Sequence, residues 1–171
     1  MGRLFKLGAK QLIAIIFFAS VLLAASSTTK PQVDRILVIK SAHIMRLYNH
    51  EKVIKEYRIA LGGQPVGAKQ KEGDHKTPEG LYTIDSKNSH SQFHLSLHIS
   101  YPSQQDRERA RRLGVSPGGD IMIHGLPPAY AYLGAMHRAY DWTDGCIAVT
   151  NAEIEEIWNL VSVGTKVEIK P

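Results

Sequence analysis

The nine residues from Phe93 to Tyr101, FHLSLHISY, alternate strictly between apolar and polar side chains. The apolar positions are Phe93, Leu95, Leu97, Ile99 and Tyr101. Successive side chains of a β-strand point to opposite faces of the sheet, so this period of two predicts a strand with one buried face. Residues 93–101 therefore predict a β-rich domain.

Segments on both sides of this stretch also predict strands. They lie at residues 35–40 (RILVIK), 44–48, 53–61 (VIKEYRIAL), 73–84 (GDHKTPEGLYTI), 120–124 (DIMIH) and 166–169. The first three are separated by short polar stretches, a pattern typical of an antiparallel meander. In residues 73–84, Pro78 and Gly80 indicate a turn that leads into the strand.

Two capping boxes predict two short helices. Ser103 and Thr150 are each followed, three residues later, by an acidic residue (Asp106 and Glu153). This spacing lets each pair cap the first turn of a helix reciprocally. The first helix is expected over residues 104–113, stopped by Gly114, and the second through Leu160. The pattern as a whole predicts a mostly β domain with two short helices.

Length and composition narrow the class of protein. The chain has 171 residues, 43% of them hydrophobic and 22% charged, which fits one domain with a real core. A single cysteine excludes a disulfide-stapled scaffold and a multi-cysteine zinc site. Three of the five net positive charges (Arg3, Lys6 and Lys10) lie in the first 26 residues, so the rest is too mildly basic to indicate nucleic-acid binding.

The N-terminal residues predict export. Basic residues precede an apolar run of 14 residues (12–25), and small residues follow it, with cleavage expected after Ser26. The run is shorter than the roughly 20 residues of a spanning helix. We therefore expect residues 1–26 to be a signal peptide or an uncleaved N-terminal anchor, residues 27–33 a linker and residues 34–171 an exported domain. Membrane contact is expected only through an uncleaved N-terminal segment.

Cys146 is the first candidate for chemistry. A lone thiol in an oxidising compartment is open to oxidation, so such a cysteine is expected to be either deeply buried or functional. Cys146 follows a turn sequence (Thr143, Asp144, Gly145) and precedes the apolar residues IAV. Gly145 permits the close approach of a ligand, and the adjacent amides of Gly145 and Cys146 could stabilise an oxyanion. The alternative is a small core residue.

A nucleophilic thiol needs a base, and two histidines are candidates. His124 ends an apolar strand and is followed by a rigid loop, residues 125–128 (GLPP). A polar side chain at such a strand end is well placed for catalysis, although a buried core histidine is the alternative. His137 lies nearer to Cys146 in sequence but in a loop without a strand to fix it, so it ranks second.

Three further residues are candidates for substrate contacts. His94 and His98 are four residues apart on the predicted strand, so their Cα atoms lie roughly 13 Å apart and one metal ion cannot join them. They line either a substrate groove or a solvated face. Arg138 could hold a substrate carboxylate.

Three ordered motifs now show a resemblance. The segments IMIHG (121–125) and DWTDGCIAVTN (141–151), together with Gly73, Thr77, Pro78 and Gly80 upstream, resemble the L,D-transpeptidase catalytic domain family (YkuD-like). The likeness extends over residues 34–171. It implies a mainly β, sandwich-like fold with mixed sheets and two or three short helices.

The same resemblance implies cysteine acyl transfer on peptidoglycan stem peptides, with neither metal nor organic cofactor. By position, Cys146 is the nucleophile and His124 the general base and acid. The backbone carbonyl of Gly125 would orient the imidazole, and the amides of Gly145 and Cys146 would bind the oxyanion. Thr143 would support the loop, and Thr143 and Asp144 would belong to the substrate-binding residues.

Two departures bear on substrate and reaction. Many members of the family have Arg or Asn where this chain has Ala148, and His where it has Asp144. Arg138 or His137 would then serve substrate recognition instead. The motif looks most like a compact periplasmic subgroup, some of whose members are thought to cut peptidoglycan–protein links. An L,D-transpeptidase is therefore expected, with a hydrolase releasing peptides or a wall-anchored lipoprotein as the alternative, and a non-catalytic wall-binding module as the distant one.

Overall fold

The computed structural model of the chain describes residues 1–2 and 32–171. Apart from residues 1–2, the predicted signal or anchor segment lies outside the described residues, as does most of the predicted linker. Among the residues that are described, no helix combines the length and apolar character that crossing a membrane requires.

Eight strands and three short helices make up the domain. The strands are β1 (Val33–Ile39), β2 (Ile44–Asn49), β3 (Lys52–Arg58), β4 (Gly80–Ser91), β5 (His94–Ile99), β6 (Met122–His124), β7 (Ile147–Ala148) and β8 (Val161–Lys170). The helices are α1 (Gln104–Leu113), a 3₁₀ segment (Pro128–Ala139) and α2 (Asn151–Leu160). The two α-helices begin at the predicted capping boxes, and α1 stops at Gly114 in the left-handed conformation, as expected.

The strands form one curled mixed sheet in the order β3-β2-β1-β8-β4-β5-β6-β7. Strands β1 to β3 are the predicted antiparallel meander. Two neighbouring pairs, β1 with β8 and β6 with β7, run parallel. The prediction of a mainly β fold with mixed pairing and two or three short helices is confirmed.

Strand β5 differs from the simple alternating picture. Leu97 and Ile99 are fully buried, as the pattern predicts. Ser96, on the polar side, is also buried, and His94 takes a positive φ of 72°, where the strand begins. Helix α2 packs against β5, so the centre of the strand is covered on both faces. A two-residue period cannot reveal a helix that arrives from elsewhere in the chain.

The last strand begins earlier than predicted. It starts at Val161, directly after α2, instead of at residue 166. Its parallel register with β1 shifts between the pairs Val33–Val161 and Arg35–Lys166. Gly164 lies inside this irregularity with a φ of 91°, so it accommodates a bulge where the sequence indicated a strand start.

Candidate active site

The sheet brings His124 and Cys146 to neighbouring positions. Strand β6 pairs in parallel with β7, and His124 lies opposite Ala148. Cys146 precedes Ala148 by two residues, so continuing the alternation places its side chain on the same face as that of His124. Both line one cavity of about 570 Å³, and the thiol is partly exposed. Candidates 22 residues apart in sequence thus share one site.

Hydrogen bonding fixes the tautomer of His124. Its Nδ1 lies 2.7 Å from the backbone carbonyl oxygen of Gly125, to which it donates. The neutral ring therefore carries its proton on Nδ1 and keeps the lone pair on Nε2. This is the geometry that the resemblance implied for Gly125.

Two aromatic side chains hold the same imidazole. The ring of Phe93 packs at 4.3 Å from that of His124, and the indole of Trp142 meets it edge-on at 5.8 Å. The histidine is only 2% exposed, and this burial lowers its pKa to about 4 against the opposing hydrogen bond to Gly125. The imidazole is therefore neutral at pH 7. Neither aromatic residue was assigned a role from the sequence, although Trp142 lies inside the quoted motif.

The loop after His124 has no space for a side chain at residue 125. A Cβ atom there would lie 2.6 Å from Asn151 Oδ1 and 2.9 Å from Ile154 Cγ2. Asn151 Oδ1 also accepts a hydrogen bond of 2.7 Å from the Leu126 amide. The first turn of α2 thus holds the carbonyl that orients His124.

The thiol of Cys146 is uncharged at neutral pH. Burial raises its pKa above the ordinary value, and the nearby carboxylates of Asp144 and Asp120 act in the same direction. A hydrogen bond from the Met122 amide and the charge of Lys69 oppose the shift. A neutral thiol beside a neutral imidazole favours proton removal during attack over a preformed thiolate–imidazolium pair.

Thr143 braces the loop that carries the thiol. Its hydroxyl donates to the Cys146 carbonyl oxygen at 2.8 Å and accepts the Gly145 amide at 3.1 Å. The first bond agrees with the supporting role expected of Thr143. The second corrects the expectation for Gly145, because its amide is already engaged and is not a free oxyanion donor.

Three chain segments meet tightly behind this loop. Gly62 pairs with Thr143 in an isolated bridge, and a Cβ atom on Gly62 would lie 2.3 Å from the His75 carbonyl oxygen. Gly145 has a φ of 128°, and a Cβ atom there would lie 2.6 Å from the carbonyl oxygen of Lys76. The packing role of Gly62 depends on contacts distant in sequence, so it could not be predicted from the local pattern.

A buried lysine anchors the segment that carries Thr77 and Pro78. The Lys40 ammonium donates to the carbonyl oxygens of Gly67 at 2.7 Å and Thr77 at 3.0 Å, and to the Glu79 carboxylate at 2.8 Å. Thr77 Oγ1 in turn accepts the Gly62 amide at 3.0 Å. The upstream motif therefore acts as scaffold for the Cys146 loop. Lys40 carried no signal in the sequence beyond its place at the end of a strand.

The remaining predicted contact residues divide into two groups. Asp144 lines the cavity and pairs with His75 at 2.7 Å. His98 reaches the rim indirectly, with Nε2 3.9 Å from an Asp120 carboxylate oxygen, while its Nδ1 bonds Asp85.

The other three predicted residues do not line the cavity around Cys146. His94 pairs with Glu155 of α2 at 2.7 Å. His137 and Arg138 lie in the 3₁₀ segment that sequence analysis expected to be a loop. Arg138 forms an ion pair with Glu153, and His137 packs edge-on against Trp142. The structure therefore does not bring His94, His137 or Arg138 to the thiol.

Comparisons with known proteins find relatives in sequence and in fold. The solved structure titled "helical cell shape determining protein Pgp2" from Campylobacter jejuni is 28% identical and superposes with a TM-score of 0.62, covering 81% of this chain and 48% of that one. The "Putative L,D-transpeptidase YafK" of Escherichia coli K12 is 26% identical over 170 residues, 90% of this chain and 61% of that protein. The chain thus spans between about half and three-fifths of these relatives.

More distant structures share the fold alone. An L,D-transpeptidase from Xylanimonas cellulosilytica is 15% identical and superposes with a TM-score of 0.52 over 81% of this chain.

The family model described as the L,D-transpeptidase catalytic domain, YkuD, matches residues 33–169, which is nearly every residue of the described domain. The chain belongs to the YkuD family of L,D-transpeptidase catalytic domains.

Proposed function

We propose that this domain is a cysteine acyltransferase of the periplasm that acts on peptidoglycan stem peptides. Cys146 is its nucleophile and His124 its general base. The observation that carries the proposal is a partly exposed thiol that lines one cavity with a buried, neutral imidazole whose Nε2 is free to accept a proton. Membership of a family of L,D-transpeptidases supports the reaction class.

The first half-reaction moves one proton and exchanges one bond. His124 Nε2 takes the proton from Cys146 Sγ as the sulfur attacks the carbonyl carbon of the bond between meso-diaminopimelate and D-alanine. The amide of Cys146 stabilises the oxyanion; the Gly145 amide contributes only if it leaves Thr143. The carbon–nitrogen bond then breaks, His124 returns its proton to the leaving amine, and a thioester remains.

The second half-reaction decides the product. An amine from another stem peptide attacks the thioester and gives a cross-link, which is transpeptidation. Water attacking the same carbonyl gives a free acid, which is the hydrolase alternative, including release of a wall-anchored lipoprotein. The names of the YafK and Pgp2 relatives, one for a transpeptidase and one for cell shape, support action on the cell wall in either case.

The substrate enters beside charged groups at the rim of the cavity. Asp144, its partner His75 and Asp120 line the cavity beside the thiol, which supports assigning them contacts with the peptide. We assign Arg138 to holding the 3₁₀ segment through Glu153, since that ion pair occupies its guanidinium.

Mass spectrometry of products from a defined tetrapeptide tests the proposal. The wild-type chain should release D-alanine and yield either a cross-linked dimer or a tripeptide acid, which separates transfer from hydrolysis. Cys146→Ala should yield neither, and His124→Gln should be slowed by at least a hundredfold. Both variants should keep the circular dichroism spectrum of the wild type. Turnover by a folded Cys146→Ala variant, or no product from the wild type, would contradict the proposal.

A further inference from the structure

A second cavity, of about 410 Å³, adjoins the catalytic one. The two cavities share the side chains of Phe93 and Trp142 as walls. The far side is formed by the 3₁₀ segment, which contributes Leu133 and His137, and by Tyr140 just beyond it. No charged side chain lines this second cavity, so among the described residues it is an apolar space beside the thiol.

One polar group of the second cavity has no partner. His137 is 4% exposed, and its Nδ1 accepts a long hydrogen bond of 3.4 Å from the indole nitrogen of Trp142. Its Nε2 is buried and bonds to nothing among the described residues. Because Nδ1 is the acceptor, the neutral ring carries its proton on Nε2, which is an unsatisfied donor. Burial, with Arg138 nearby, lowers the His137 pKa to about 4 and keeps the ring neutral.

The side chains that line this cavity determine which ligand it can bind. Aromatic and aliphatic walls favour an apolar group, and a buried N–H that lacks an acceptor favours a ligand with a hydrogen-bond-accepting oxygen. Charged ligands are disfavoured, because no opposite charge lines the cavity. Stem-peptide residues near the scissile bond carry carboxylates and an ammonium. The glycan strand to which stem peptides are attached carries acetamido groups, each an uncharged methyl group joined to a carbonyl oxygen.

We propose that the second cavity binds an acetamido group of an N-acetylated sugar, whose carbonyl oxygen accepts the His137 Nε2 proton while its methyl group packs among the aromatic side chains. The inference rests on the proposed function, since it names the glycan part of the same substrate. Three residues, a span of about 10 Å when extended, separate the scissile carbonyl from the sugar. The two cavities are neighbours, since they share the side chains of Phe93 and Trp142.

Binding of defined sugars tests this proposal without any turnover. Isothermal titration calorimetry should detect binding of triacetylchitotriose to the full-length Cys146→Ala chain. The deacetylated trimer should bind to this chain at least tenfold more weakly. His137→Phe, which removes the donor, should weaken binding of the acetylated trimer at least fivefold. His137→Gln, which keeps an N–H donor, should restore part of that loss.

Two further variants protect the test against folding artefacts. Leu133→Trp should fill the cavity and abolish binding even if His137→Phe does not fold. Tyr132→Ala is the matched control, because this tyrosine of the same segment is 81% exposed and does not line the cavity. Equal binding of the two trimers, no binding of either, or undiminished binding by His137→Phe and Leu133→Trp would overturn the proposal. These results do not depend on thioester chemistry, so they separate failure of this inference from failure of the proposed function.

Discussion

Cys146 and His124 line one cavity as uncharged groups, because partial or full burial disfavours the charged form of each side chain. The same burial that lowers the His124 pKa to about 4 raises that of the Cys146 thiol, and Asp144 and Asp120 add to the latter shift. An ion pair between them would have to overcome both effects in the free enzyme. In the proposed mechanism, His124 therefore removes the thiol proton as a general base when a substrate is present.

Alkylation of the thiol reports its charge state directly. We expect the rate of modification by iodoacetamide to rise with pH and to reach its midpoint at a higher pH than for a free cysteine thiol, since only the thiolate reacts and burial raises the Cys146 pKa. Asp144→Asn should move the midpoint to lower pH, because it removes a carboxylate that disfavours the thiolate. A midpoint below pH 7 in the wild type would show a preformed thiolate–imidazolium pair and would contradict an uncharged thiol at neutral pH.

The loss of activity at low pH is expected to follow the protonation of the His124 imidazole. The kcat/KM for release of D-alanine should fall only as the pH drops through about 4, because protonated His124 can no longer accept the thiol proton. A stopped assay on the tetrapeptide between pH 3.5 and 8 provides the measurement. An acid limb near pH 6.5, the ordinary histidine value, would mean that burial does not control this group.

At the scale of elements, the Cys146 loop is held by packing against the segments around Gly62 and Lys76. Two adjacent glycines offer a matched comparison: a Cβ atom at Gly62 would lie 2.3 Å from the His75 carbonyl oxygen, whereas at Gly63 the nearest atom is 3.8 Å away. Gly62→Ala should lower the free energy of unfolding by about 2–4 kcal/mol and reduce activity, because backbone must move to admit the methyl group.

Gly63→Ala should change the stability by less than about 1 kcal/mol. Urea unfolding of both variants, alongside the wild type, measures the difference. Equal effects of the two substitutions would show that the close approach at Gly62 does not hold the loop.

The elements were predictable from the sequence where their signals are local. Both α-helices start at capping boxes and the first three strands form the expected meander, because caps and alternation act over a few residues. The 3₁₀ segment was read as loop, since it begins with Pro128 and is interrupted at Gly134 without a helical period. Cys146 and His124 could be proposed as nucleophile and base from the sequence, because each ends or precedes a strand inside a recognisable motif.

The supporting residues of the site were not predictable in the same way. Phe93 and Trp142 come from different parts of the chain to enclose His124, and Lys40 reaches a loop some 27 residues away. The Gly145 amide was expected to be free, yet a hydroxyl two residues before it occupies that amide. Such contacts join residues that are distant in sequence, so the local pattern of residue types does not predict them.

At the scale of the whole molecule, two buried histidines couple stability to pH. His124 and His137 are 2% and 4% exposed, and the pKa of each is lowered to about 4. The unfolded chain therefore binds more protons than the folded one between about pH 6.5 and 4, so stability is full above this window and falls as the pH falls through it.

The expected loss is on the order of 3 kcal/mol per histidine at pH 4, a large share of a typical domain's stability. Urea midpoints between pH 4 and 8 measure it. His137→Phe should remove roughly half of the pH dependence in this window, whereas His90→Gln, at an exposed position, should leave it unchanged. A flat stability profile across this window would contradict the burial of these rings as neutral groups.

Intact-mass spectrometry with a carbapenem tests together whether the Cys146 sulfur is the reactive atom and whether His124 is its base. The resemblance to L,D-transpeptidases leads us to expect one covalent adduct, mapped by peptide digestion to Cys146. Cys146→Ala should form none, and His124→Gln should form it at least tenfold more slowly, while His90→Gln matches the wild type. An unmodified wild-type protein, or equally fast acylation of folded His124→Gln, would contradict the central claim.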